Sequence, residues 1–543
     1  MPPAPHRDRD RDLHRDRDRD LDLLPRHRPG HRQPRVARDP LLAVAVAVAG
    51  LLAPARAPRA IAAPSPAAPA LAPGTPSEDL TLAREIFREL IETDTTHDHG
   101  SATTAAEALA RRFRAAGFPA ADVQVLGPSP RKMNLVVRLR ARASAGSAGA
   151  GAGGERAVGG GTNAAAATTR RPILLLGHLD VVAAERADWS LDPFTLTEKD
   201  GFYYGRGTLD MKSLVALWVA DLLRLHRTGE PTSRDLILAL TADEEDGDEN
   251  GVEWLLAHQR PLIDAEFALN EGGGGEASHG RYRANDVQCS EKGYQSYRLE
   301  VRNKGGHSSL PEPDNAIVRL AAGLVRLHAH RFPPQRNPVT RAYFQRVATF
   351  ETGQLGADLR TIALAPEGRP LDAAAVARLS ALPFYNARLR TTCVPTRVTA
   401  GHADNALPQL ASAIVNCRLL PGETSAHVEQ VLRGVIADPQ VSVKAISSMT
   451  TTAPTLPPAK LLGIIEKVTS RFWPGVPVLP TMSAGATDGR FLRAAGIPTY
   501  GVSGLFHEVD DNRAHGRDER LAVRSFVEGQ AFTYALLQAL VAN

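Results

Sequence analysis

Three short apolar runs, "ILLL" (173–176), "LILAL" (236–240) and "FAL" (267–269), each break directly into a polar cluster, and helical patterns separate them. Runs this short, apolar throughout and alternating with helices, read as strands of a mostly parallel sheet covered on both faces. In open α/β sheets, ligands bind outside the carboxyl ends of the strands. The clusters that follow the strands are therefore where chemistry is sought.

After the first run comes "GHLD", with His178 and Asp180; after the second, "TADEE", with Glu244 and Glu245; after the third, "NEGGGG", with Glu271. "GRGTLDMK" places Asp210 where a loop turns into a helix, and "AHGRDER" places His515 just before the last helix. Each fragment alone has a plainer reading. Asp210 suits a helix cap, His178 a hydrogen-bonded loop histidine, and the acidic run 243–249 a solvated loop. Together they are two histidines and three carboxylates, with carboxylates to spare and no thiols. That donor set suits two Zn²⁺, Co²⁺ or Mn²⁺ ions. Two such ions about 3.5–4 Å apart need an anion between them, which gives Asp210 a purpose. The cysteines, Cys289, Cys393 and Cys417, show no metal spacing; they do not form a disulfide framework, and one bridge stays open.

The motifs "GHLDVV", "YGRGTLDMK", "TADEE", "NEGG", "GGHSSLP", "GATDGR" and "AHGRDER" occur in that order between Ile173 and Glu519. In this the chain resembles the dinuclear zinc exopeptidases and amidohydrolases that include aminoacylase, glutamate carboxypeptidase, acetylornithine deacetylase and succinyl-diaminopimelate desuccinylase. The resemblance implies that His178 and Glu271 hold one metal, Glu245 and His515 the other, and that Asp210 bridges them. It implies that Asp180 orients His178. Glu244 would act as general base on the attacking water and return the proton to the leaving amine. His307 of "GGHSSLP" would reach the partner subunit's site and support the oxyanion. Asn405 of "ADNALP" would assist substrate binding, and Arg490 would pair with a substrate carboxylate. In relatives the peptide after Asp210 is cis. Met211 and Asn270 stand where many relatives carry acidic residues; neither change removes a ligand, but both bear on substrate subgroup.

The expected fold is α/β: a zinc-exopeptidase-like, mostly parallel sheet flanked by helices, with an inserted α+β lid and dimerisation domain. The strand rhythm changes near Gly293, where "YQSYRLEV" alternates as a half-exposed strand does. The expected organisation is a charged leader (1–40), a signal-peptide apolar run and cleavage zone (41–63), and a Pro/Ala linker (64–78). The catalytic domain follows in two parts, 79–291 and 449–543, around a lid at 292–448. A Gly/Ala tract, 143–169, is expected to be a flexible loop. The stretch 331–390 exceeds a minimal lid and reads as an extra subdomain or a loop over the site.

A net charge of +4 over 543 residues, with much of the arginine in the leader, leaves no nucleic-acid footprint. "LLAVAVAVAGLLA" (41–53), preceded by basic residues and followed by small ones, is short for a membrane span and fits an export signal, with an uncleaved anchor as the alternative. The combined reading is an exported, homodimeric dinuclear-metal peptidase acting on dipeptides or C-terminal residues. The alternative is an N-acyl-amino-acid amidohydrolase; either substrate carries a free carboxylate. A non-catalytic binding protein on the same fold is disfavoured, because Glu244 and all five ligands are present.

Overall fold

Ile173–His178 runs parallel to Leu236–Thr241 on one side and to Phe267–Asn270 on the other. All three strands are buried almost throughout, which is why their sequences are continuously apolar rather than alternating. The register sets His178 beside Thr241 and Leu175 beside Leu269, so the three carboxyl ends finish at one edge of the sheet. This computed structural model describes residues 77–142, 170–245, 247–447, 449 and 452–542. The expected leader, the export signal, the linker up to residue 76 and the Gly/Ala tract lie outside those residues. The linker ends two residues early: Ser77 caps, and Glu78 begins, the first helix, Glu78–Ile91.

The large sheet has ten strands. Outward from the central three, Asn134–Leu139 and Val123–Leu126 extend one side antiparallel. Thr499–Gly501, Arg281–Glu291, Gly275–Ser278 and Phe506–Glu508 extend the other, and Val478–Ser483 pairs in parallel with Arg281–Glu291. The sheet is mixed at its flanks and parallel at its centre, where the ligand-bearing strands lie. Helix Lys212–Thr228 is buried along nearly all its length between the sheet, the first helix and the C-terminal helix Val523–Ala542. Its first residue, Lys212, is fully buried and donates to the carbonyls of Leu90 (2.8 Å) and Thr93 (3.0 Å) at the end of the first helix. Those carbonyls are the negative pole of that helix. Burial pushes the Lys212 ammonium down to about 7.

A second, four-stranded antiparallel sheet has the order Thr392–Ala400, Leu410–Leu419, Gly293–Arg302, Ser442–Ala445. Helices Ala316–Ala329 and Ser425–Ile436 cover one face and share a core of Tyr297, Leu299, Leu320, Val415 and Leu432. Cys393 and Cys417, directly opposite on adjacent strands, are joined by a disulfide. Lys292 lies at the crossing between the two sheets. Fully buried, it donates to Ala387 O (3.1 Å), Arg390 O (2.9 Å) and Thr392 Oγ1 (3.1 Å).

The long stretch after residue 331 is helical. Pro338–Val347, Gly353–Leu364, Ala373–Ser380 and Pro383–Leu389 share a core built on Phe344, Leu359, Ile362 and Leu389. That core also takes in Ala284 and Leu479 of the large sheet. Arg346 donates to Val478 O (2.7 Å) and pairs with Glu466 (2.6 Å). These helices follow the lid's first helix in sequence, yet they pack on the large sheet.

Candidate metal centre

His178 is the last residue of its strand. Its Nδ1 lies 2.9 Å from the main-chain carbonyl of Asp180. A carbonyl only accepts, so Nδ1 carries a proton, and Nε2 is the nitrogen that would be free once the ring is neutral. Nε2 faces Asp210 Oδ1 at 3.0 Å and Glu271 Oε2 at 3.7 Å. It is thus the main-chain carbonyl of Asp180 that holds the His178 ring. The Asp180 carboxylate stands 3.7 Å from Nδ1 and uses Oδ2 to accept the main-chain N–H of Glu245 at 2.9 Å. One residue thus sets both His178 and the Glu244–Glu245 turn.

His515 arrives from the far end of the chain. Its Nε2 lies 3.1 Å from Asp210 Oδ2 and 3.0 Å from Glu245 Oε1. The two oxygens of Asp210 are therefore divided between two histidines, as a carboxylate shared by two cations requires. The Asp210–Met211 peptide is cis. Two triads have donor atoms within 4.8 Å of one another: His178, Glu244 and Glu271, and His178, Asp210 and Glu245. Together with His515, the five expected ligands converge, and Glu244 stands among them facing His178 and Glu271. Neutral imidazoles and carboxylates at these separations fit two small divalent cations.

The charges explain why. Burial, then the charge of Asp210, pushes Glu271 up to about 8. Burial, then Glu271 and Asp488, raises Glu244 well above the carboxylate range. Hydrogen bonds donated to Asp210 and Glu245 raise His515 to about 10. For His178, burial works downward, but Glu271 and Asp210 outweigh it and hold the ring well above its usual range. This is a buried excess of negative charge that takes up protons where no cation is bound.

The Asp210 loop has an anchor that the sequence reading missed. Glu519 is fully buried; it pairs with Arg206 (2.6 Å) and accepts the main-chain N–H groups of Gly207 (3.1 Å), Leu209 (2.6 Å) and Asp210 (3.2 Å). Gly207 has φ +89°, and a Cβ there would come within 2.9 Å of Lys212. The signal was present in "AHGRDER", four residues after His515, but the partner lies more than 300 residues away. Asp488, also missed, is buried beside Glu244. It accepts from Asn250 Nδ2 (2.6 Å) and Thr241 Oγ1 (3.2 Å), and burial pushes it up to about 6.

The remaining expected residues lie outside the cluster. Arg490 makes no ion pair among the described residues; its guanidinium lies 4.4 Å from the Phe491 ring centre. Arg418, another omission, is near enough for the two arginines to repel; burial and then Arg490 lower its pKa. Strand periodicity alone would have flagged it: Val415, Cys417 and Leu419 are buried, so Arg418 points to the opposite face. His307 is exposed on a two-residue strand in the second domain and pairs with Ala406, next to the exposed Asn405. Ser308 N–H donates to Asn405 O (3.0 Å), and Ser309 N–H donates to His307 Nδ1 (3.2 Å). With Nδ1 accepting, the proton of the neutral ring sits on Nε2. Neither residue has a hydrogen bond or ion pair to the cluster of its own chain among the described residues.

The sequence pattern described as peptidase family M20/M25/M40 matches residues 174–539. An N-fatty-acyl-amino acid synthase/hydrolase of Xenopus tropicalis is 30% identical over 360 residues, covering 65% of this chain and 69% of the relative. A probable carboxypeptidase S-like protein of Dictyostelium discoideum is 28% identical over 387 residues, covering 68% and 71%. The crystal structure of an M20 family metallo-carboxypeptidase from Sulfolobus solfataricus superposes with TM-score 0.62 at 16% identity, over 85% of this chain and 99% of that one.

The electrostatics make metal uptake pH-dependent, with a definite sign. His515 (about 10) and Glu271 (about 8) hold protons in the cation-free protein below those values, and a ligand must release its proton to bind. Acidification therefore favours the proton over the cation. Apparent Zn²⁺ affinity is expected to fall at least about tenfold per pH unit between about pH 8 and 6, the effect of one displaced proton at about 1.4 kcal/mol per unit. Competition titrations against a chromogenic chelator measure it, and an affinity flat across that range would contradict the assignment.

Proposed function

We propose, for a chain that belongs to peptidase family M20/M25/M40 and is thus a metallopeptidase or amidohydrolase, that it hydrolyses an amide bond next to a free carboxylate. N-acyl amino acids and the C-terminal residues of peptides both present that bond. The observation that carries the reading is the pair Arg418 and Arg490: half-buried, mutually repelling and without an ion pair among the described residues, with Arg490 acting on Asp488, the neighbour of Glu244. Two such cations are stabilised by an anion between them, and a guanidinium fork matches a carboxylate. The names of the Xenopus and Dictyostelium relatives, an N-fatty-acyl-amino acid hydrolase and a carboxypeptidase, share that chemistry.

In this reading His178 and Glu271 would hold one divalent ion and Glu245 and His515 the other, with Asp210 shared between them. Zinc is the proposed metal, with cobalt or manganese as alternatives on donor chemistry. Bound there, such ions supply the positive charge that polarises an amide carbonyl and acidifies water. Glu244, raised by burial and by its carboxylate neighbours, takes the proton from the attacking water and delivers it to the leaving nitrogen. Asp180 keeps His178 in the tautomer that leaves Nε2 free. Arg490 and Arg418 fix the carboxylate, and so the distance from the carbonyl to the cluster.

Glu244→Gln is expected to keep metal binding and lose about 10²–10⁴ in rate. Amidating the substrate carboxylate is expected to lower kcat/KM about 10- to 100-fold in the parent, the range of a hydrogen bond to a charged group. In Arg490→Ala the same amidation costs much less. Equal cleavage of free and amidated substrate by the parent would reject the carboxylate requirement.

His307 belongs to the same proposal, as an oxyanion donor acting across a homodimer. Its exposed Nε2–H and its lack of contact with its own cluster support this, as do Val394 and Val398, 58% and 60% exposed on the edge strand of the same domain. Mixed His307→Ala and Glu244→Gln subunits should recover part of the activity that each variant lacks. No recovery after verified exchange would confine His307 to its own subunit.

Export is proposed from the apolar run at 41–53 with its basic and small-residue flanks. Among the described residues no helix is long and apolar enough to cross a membrane. Amino-terminal sequencing of the protein outside the cell should find a start between about residues 57 and 63. A mature chain that keeps residues 41–53 would favour the anchor.

A further inference from the structure

A cavity of about 270 Å³ adjoins the ligand cluster. Asp210 and Glu271 line it, as do apolar side chains such as Leu505 and three ionisable residues the mechanism does not use, Glu276, Asp286 and His507. These three share a face of the large sheet. His507 is directly opposite Glu276 on the parallel neighbour Phe506–Glu508. Ala284 is opposite Glu276 on the antiparallel neighbour, and Asp286 stands two residues beyond Ala284. Opposite residues, and residues two apart, project to the same side. Ala284 is in the core of the inserted helices, so this face looks toward them.

The charge on that face is not balanced. Neither Glu276 nor Asp286 has a side-chain hydrogen bond or ion pair among the described residues. Asp286 is 7% exposed, and its Oδ1 has no partner. Arg388 of helix Pro383–Leu389 acts on both carboxylates without pairing with either among the described residues. Its guanidinium stacks 3.5 Å from the Phe384 ring centre and donates to Thr481 Oγ1 at 3.4 Å. His507, lowered by burial, adds no charge at neutral pH. Arg283 also acts on Glu276 but is itself paired with Glu351 (2.6 Å), and burial raises both Glu276 and Asp286, as it does for acids that lack a cation of their own.

A metal ion does not fit as the missing partner. Among the described residues, the triads of donor atoms within 4.8 Å of one another are those of the cluster already described. What fits is a single positive charge carried on several N–H donors and attached to a short apolar stem. The cavity holds on the order of nine water volumes at roughly 30 Å³ each, enough for a short chain.

We propose that this recess is the acyl-side subsite and that it recognises an ammonium group: the substrate is an aminoacyl amide, its amine held by Asp286 and Glu276. This rests on the hydrolase reading above and selects within it. The cavity meets the cluster at Asp210 and Glu271, and neither Arg418 nor Arg490 lines it. A substrate with its carboxylate on the arginines therefore extends its acyl end toward the recess. A short acyl group ending in a cation is a different substrate from a fatty acyl chain.

The test is a matched pair of substrates on the metal-loaded enzyme: γ-aminobutanoyl-alanine and pentanoyl-alanine, which differ in having ammonium or methyl at the chain end. The parent is expected to prefer the ammonium substrate in kcat/KM by about tenfold or more, the scale of one charge-assisted hydrogen bond. In Asp286→Asn and in Glu276→Gln the ratio, measured within each variant, is expected to collapse toward one. A parent that cleaves the neutral substrate equally well or better overturns the recess while leaving the hydrolase reading standing. If neither substrate is cleaved, the hydrolase reading fails, and the recess is judged by calorimetry with pentylammonium against pentanol. Binding of pentylammonium alone, lost in Asp286→Asn, upholds it; no binding to the parent overturns it.

Discussion

Carboxylates crowd one end of this sheet: Asp180, Asp210, Glu244, Glu245, Glu271 and Asp488 share a largely buried space with His178 and His515. Without compensation such an arrangement is among the most expensive a protein can make. Much of the architecture is legible as a response to that cost. The oxygens of Asp210 are divided between the two histidines, and the rest of the charge is left for protons or cations. The same repulsion raises Glu244, which in the proposed reaction takes and returns a proton in a single turnover.

Holding these groups together against their repulsion takes a stiff frame, and the frame is polar where it touches the site. Glu519 binds three main-chain donors of the Asp210 loop and neutralises Arg206. The carboxylate of Asp180 holds the Glu245 main chain while its carbonyl sets the His178 tautomer. Lys212 ties the helix after Asp210 to the first helix, and Lys292 ties the crossing between the two sheets to the inserted helices. Each is a buried charge satisfied almost entirely by main-chain atoms. That fixes backbone rather than side chains, and so fixes the loops that carry the donors.

The second domain and the inserted helices divide the surroundings of the cluster. Toward the second domain lie Arg418 and Arg490, suited to an anion. Beneath the inserted helices lie Asp286 and Glu276, suited to a cation. A molecule with a carboxylate at one end and an ammonium at the other would match both charges across the intervening amide.

How much of this was legible beforehand depends on how local each signal is. The central strands, the helices from Lys212 and Val523, and the convergence of His178, Asp210, Glu245, Glu271 and His515 could be read in the sequence. Strand burial leaves a continuous apolar run, parallel strands must end on one edge, and the ordered motifs resemble a family. What escaped were relations between distant segments. Asp180 acts on His178 through its main-chain carbonyl, which no residue type announces. Glu519 meets Gly207–Asp210, Asp488 meets Asn250, and Asp286 meets Glu276 and His507 across sheet neighbours that sequence order does not reveal. The helical character of 338–389, and its packing on Ala284 and Leu479 rather than on the domain it follows, were likewise tertiary decisions. Composition and spacing determined which chemistry this chain can perform, because donor types and strand ends are local properties. Only the folded structure decided which charges are left without partners, because a charge is unpaired only in relation to everything packed around it.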